Sequence, residues 1–147
     1  MRNVFTWTAI VASLLIMQLA QAAPICDVKM GLQTARENLV AMLDAVDKAA
    51  QEDLKKKVDE ASTALETALD AMIGNATISE DNKGKLNQFK ETWTAFKETR
   101  EKELVPAIYA GKKEDAKALA TGVQAERMTT MKDLIKELGG DDCKADK

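Results

Sequence analysis

The chain has 147 residues, no histidine, two cysteines and a formal net charge of −3. Without histidine there is no Ser-His or Cys-His nucleophile pair, no His-ligated zinc or haem and no di-iron site of the Glu-x-x-His kind, so a non-enzymatic protein without a cofactor is expected. The mild acidity has both signs interleaved and no basic stripe with aromatics, which argues against nucleic acid as a partner.

Residues 1–22 read as a secretory signal peptide. Arg2 supplies the positive start, residues 4–19 are mostly apolar, and Ala20-Gln21-Ala22 places small residues at the cleavage positions. The run carries Thr6, Thr8 and Ser13, falls short of the ~20 apolar residues of a spanning helix, and is followed by no second apolar segment. The expectation is therefore a secreted or periplasmic protein that begins at Ala23, forms one domain over residues 23–147 and has no membrane span after cleavage. Losing the leader takes Lys+Arg from 21 to 20 against 24 Asp+Glu, a net charge of −4 over 125 residues.

From Asp27 onward Ala, Leu, Glu, Lys, Gln and Met dominate, and the apolar positions recur at threes and fours, the signature of amphipathic helices. Helix 1 shows Val28, Leu32, Ala35, Leu39, Met42, Val46 and Ala49. Extending that stripe lands on Asp53, Lys56 and Glu60, so a turn is placed at residues 49–53; a stutter through Val46, Ala50 and Leu54 would instead keep one helix of about 47 residues, about 70 Å long. Helix 2 shows Leu54, Val58, Ala61, Leu65, Ala68 and Met72 and closes at Gly74-Asn75. Ser79 with Glu80 and Asp81 gives an N-cap and acidic first turn for helix 3, whose stripe is Leu86, Phe89, Trp93, Phe96 and Leu104. Pro106 is expected to kink the last turn of helix 3 before Gly111. Helix 4 shows Ala116, Ala120, Val123, Thr130, Leu134 and Leu138 and ends at Gly139-Gly140.

Four helices with short connections predict an all-α, antiparallel up-down-up-down four-helix bundle, whose termini share one pole. Cys26, just before helix 1, and Cys143, just after helix 4, are then neighbours, and in an oxidising compartment a disulfide between them is expected, with intermolecular pairing as the competitor.

Phe89, Trp93, Phe96 and Tyr109 all lie on helix 3. The first three have the spacing of a buried stripe; alternatively they wall a ligand pocket. Met30, Met42, Met72, Met128 and Met131 read as packing residues. Only three arginines remain after processing, Arg36, Arg100 and Arg127, on helices 1, 3 and 4. They stand roughly 20, 15 and 21 Å along their axes from the distal turns, close to one level. Inward guanidinium groups need partners, from Glu37, Glu101, Glu103 or Glu126, from solvent, or from an anionic ligand held by bidentate hydrogen bonds. No Gly-rich phosphate loop, Cys-x-x-Cys or nucleophile elbow is present, no metal ligand set is assigned, and Asn75-Ala76-Thr77 is a glycosylation sequon by pattern.

The stretch from Trp93-Thr94-Ala95-Phe96 through Arg100, then Val105-Pro106-Ala107-Ile108-Tyr109-Ala110-Gly111-Lys112-Lys113-Glu114-Asp115-Ala116, resembles the second hairpin of the four-helix-bundle sensor domains of bacterial methyl-accepting chemotaxis receptors. The resemblance spans residues 27–138 in layout and about 30 residues in motif. It implies periplasmic sensing of small molecules, often carboxylates, by a bundle that dimerises. Arg36, Arg100 and Arg127, with Trp93 and Phe96, are then the ligand candidates, Arg100 alone matching a motif position.

The chain shows no second membrane segment, signalling coiled coil or methylation region, so a free-standing module is expected. A second resemblance is to periplasmic four-helix cytochromes. Cys143-Lys144-Ala145-Asp146-Lys147 sits where their haem motif would, but the second Cys and the His are missing, leaving a haem-less relative. The sequence thus predicts a periplasmic binding module for a small carboxylate or other anion, with a homodimer or envelope protein as further partner. The alternative is a structural or chaperone-like interaction bundle.

Overall fold

The computed structural model describes residues 13–143. It contains helices α1 (Ser13–Asp44), α2 (Lys48–Ile73), α3 (Glu80–Thr99), α4 (Val105–Tyr109), α5 (Lys113–Thr121) and α6 (Val123–Glu137), a π-helical turn (Arg100–Leu104) and a 3-10 turn (Gly140–Asp142). The π turn joins α3 and α4 into one rod, α5 and α6 make another, and with α1 and α2 these pack as the expected antiparallel four-helix bundle, with no strand among the described residues. The core is the inner stripe of each rod: Val28, Leu32, Leu39 and Met42 from α1, Val58, Leu65 and Leu69 from α2, Leu86, Phe89, Trp93 and Phe96 from α3, and Met128, Met131, Leu134 and Ile135 from α6.

The expected leader falls partly on residues 1–12, outside the described residues, while residues 13–22 are the first turns of α1. α1 continues through Pro24, so Cys26 lies inside the helix rather than ahead of it. Proline's fixed φ is helical, and what the helix forgoes there is one backbone donor. Cys26 and Cys143 are bonded, with Cα atoms 5.4 Å apart. Lys29 Nζ donates to Gly140 O at 2.7 Å beside them, so the Cys26–Lys29 stretch of α1 and the end of the last rod meet at one pole.

Three expected details are corrected. The first turn lies at residues 45–47, earlier than expected, because Asp47 caps α2 by accepting the Ala50 N–H (3.1 Å) and Gln51 Nε2 donates to Ala45 O (2.8 Å). Val46 is consequently 86% exposed in the turn instead of part of a buried stripe, and Ala49 is exposed on α2. The last rod is broken at Gly122, which changes its register: Gln124, Met128, Met131 and Ile135 are buried, whereas Val123 and Thr130 face solvent. Met30 is 57% exposed and is not a packing residue.

The kink expected from Pro106 takes a specific form. Proline has no N–H and its ring crowds the carbonyl four residues back. The backbone accommodates this just upstream with the π turn, in which Val105 N–H donates to Arg100 O, one residue farther back than in an α-helix.

Candidate functional site

A groove in the bundle follows from how unevenly its rods approach one another. Gly31 lets α1 lie directly against α2: a Cβ there would stand 2.8 Å from Leu65 Cβ and 3.0 Å from Ala61 O. On the opposite side α6 is tied to α3. Gln124 Nε2 donates to Phe96 O (2.8 Å), and Arg127 Nη1 donates to Ala95 O (3.0 Å), Thr99 Oγ1 (2.7 Å) and Gln124 Oε1 (3.1 Å). With α1 drawn to α2 and α6 to α3, the seam between α1 and the α5–α6 rod opens as a groove.

Its upper compartment is about 580 Å³. Leu39, Phe96, Leu104 and Met128 form an apolar floor, and Arg36, Lys113, Lys117 and Lys132 stand around it with Asp44 and Glu114. A lower compartment of about 350 Å³ runs towards Lys29 and Asp141 and shares Arg36, Met128 and Lys132 with the upper one. All four cations of the upper compartment are exposed, and none is in an ion pair among the described residues. An apolar floor with unpaired cations above it suits an anion that also has an apolar part.

The residues singled out from sequence divide between this groove and the bundle interior. Arg36 and Phe96 line the groove. Arg127 is half-buried and spends its guanidinium on the α3 backbone and Thr99. Arg100 is fully buried: Nε donates to Glu101 Oε1 (2.7 Å), Nη1 donates to Ser62 Oγ (3.0 Å), and the guanidinium carbon stands 5.6 Å from the centre of the Trp93 ring. Trp93 Nε1 donates to Glu66 Oε1 (2.9 Å), which also accepts from Lys97 Nζ (2.7 Å). Trp93 and Phe96 stack with centroids 5.6 Å apart, so the interior cluster and the groove floor share one aromatic pair.

Desolvation works to raise the Glu66 carboxyl, but hydrogen bonds from Lys97 and Trp93 and the charges of Lys97 and Arg100 outweigh it and hold it below its ordinary value. Glu101 is held down in the same way, with burial opposed by hydrogen bonds and charge from Lys55 and Arg100. Lys55 is conversely raised: desolvation is overcome by its bonds to Asp59 and Glu101.

Sequence reasoning missed Lys113, Lys117, Lys132 and Gln124. Lysine is spread over all four rods, so residue type gave no signal, and which lysines face the seam depends on the register set by the break at Gly122.

A protein-family model described as a four helix bundle sensory module for signal transduction matches residues 16–140. No curated protein and no solved structure matches the chain.

Proposed function

The chain belongs to the family of four-helix-bundle sensory modules for signal transduction, and from that premise we propose that it is an extracytoplasmic, non-enzymatic sensor whose α1/α5–α6 groove binds a small amphipathic organic anion. The observation that carries this reading is the apolar floor surrounded by four unpaired cations. Arg36 and Lys132, shared by both compartments, hold the anionic group, with Lys117 facing it from α5. Phe96, Leu39 and Met128 take the apolar part. The Cys26–Cys143 bond supports an oxidising compartment, as does the signal-like stretch over residues 1–22. Trp93 serves from beneath by stacking on the Phe96 ring, and Arg100 stands over Trp93 in turn.

Because Phe96 stacks on Trp93, Trp93 fluorescence reports on the floor. Titration with octanoate is expected to give a saturable change, and octanamide, equal in length but uncharged, a far weaker one. Arg36→Gln or Lys132→Gln is expected to weaken octanoate binding roughly 10-fold or more, the worth of a charge-assisted hydrogen bond. No saturable response, or equal affinity in the two variants and the parent, overturns the reading.

A further inference from the structure

α5 is the least anchored helix of the bundle. Of its nine residues Ala116 alone is buried, with Leu119 and Ala120 half-buried. Lys112 ahead of it makes no side-chain cap, and among the described residues no ion pair or side-chain hydrogen bond joins α5 to another element, the one bond recorded being Thr121 Oγ1 to Lys117 O within it. The helix is bounded by Gly111, at φ +70°, and by Gly122. The tethers of this rod to α3 start beyond that second glycine, at Gln124 and Arg127. Resistance to local opening follows buried apolar contacts and tertiary hydrogen bonds, and both drop at Gly122. The same helix supplies one wall of the groove through Lys113, Glu114, Lys117, Ala120 and Thr121.

We propose that α5 is a hinged lid on the groove, pivoting at Gly111 and Gly122 and closing towards α1 when an organic anion lies between Lys117 and Arg36. The inference rests on the groove-binding reading, because the ligand's charge draws the lid in. Without it Lys117 and Arg36 repel across the opening; with it each is attracted to the same group. The energy involved is small for exposed charges, and a helix held by one buried alanine and the half-buried Leu119 and Ala120 needs little. α6 stays fixed to α3, so closure narrows the upper compartment and leaves the lower one as it is.

Hydrogen exchange followed by mass spectrometry on the full chain, disulfide intact, tests this with and without octanoate. In the ligand-free protein, α5 amides are expected to exchange about 100-fold faster than those of α6, in keeping with a unit that opens alone. Octanoate is expected to slow α5 and leave α2 unchanged. Gly122→Ala places a Cβ 2.9 Å from Ala118 O, so the break cannot keep its form; alanine favours a continuous helix, and α5 exchange is expected to slow without ligand. Equal ligand-free rates in α5 and α6 overturn the lid, as does octanoate binding, seen by Trp93 fluorescence, that leaves α5 exchange unchanged. Absence of octanoate binding defeats the groove reading instead, and the ligand-free rates of the parent protein still decide the hinge, whether or not the variant folds.

Discussion

Arg100 shows how a charged residue can be both legible in sequence and settled by its neighbours. Seven residues beyond Trp93, it falls on the apolar stripe of helix 3 and so reads as inward-facing, and it is buried with Nε and Nη1 bonded while Nη2 has no hydrogen-bond partner. Removing the side chain deletes packing against Trp93 and strips Ser62 and Glu101 of a donor, so Arg100→Ala is expected to destabilise the fold by about 3 kcal/mol in urea unfolding. Glu66 and Glu101, whose folded carboxyls are held below the ordinary value, contribute stability that is complete above the unfolded carboxyl range and is lost as pH falls through the folded values. The thermal midpoint is therefore expected to fall on acidification below about pH 4.5, and the Glu66→Gln/Glu101→Gln double variant to show a flatter pH dependence. Sequence marked Arg36 and Phe96 as site candidates, but it grouped Arg36, Arg100 and Arg127 together as ligand candidates, with Arg100 alone at a motif position. Only the partners, solvent-facing for Arg36, Glu101 and Ser62 for Arg100, the α3 backbone for Arg127, separate them.

At the scale of elements, local chemistry placed most boundaries. Ser79 accepts the Asn82 N–H (3.3 Å) at the start of α3, and Gly111 and Gly139 take the left-handed φ values that end their helices. Asp47, overlooked as a cap because the apolar stripe ran on to Val46, starts α2 where the periodicity carried the first helix on. Asp47→Ala and Ser79→Ala are each expected to cost about 1 kcal/mol in stability measured by denaturant unfolding. Gly31 is an element-scale feature with no sequence signal, since a glycine amid good helix formers reads as a weak point; its use is the closeness of α1 and α2. Gly31→Ala is expected to push those helices apart at Leu65 and destabilise by about 1–3 kcal/mol, the usual cost of overpacking, despite alanine's better helix propensity.

Over the whole molecule the bundle is closed by one covalent link between its first and last rods. Breaking it releases a loop of 117 positions in the unfolded state, so Cys26→Ser/Cys143→Ser is expected to lower stability by about 5 kcal/mol, read as a drop in thermal midpoint, in the chain-entropy account. The same link holds the 3-10 turn and Asp141 at the foot of the lower compartment. Composition and the three-four repeat determined by themselves that this chain is an antiparallel four-helix bundle with its cysteines at one pole, because helix propensity and apolar periodicity are local and add up along the chain. The groove was decided only by tertiary structure. It exists because Gly31 brings α1 to α2, Gln124 and Arg127 bring α6 to α3, and the break at Gly122 rotates the last rod, and each of these acts between residues far apart in sequence that leave no mark on any single stretch.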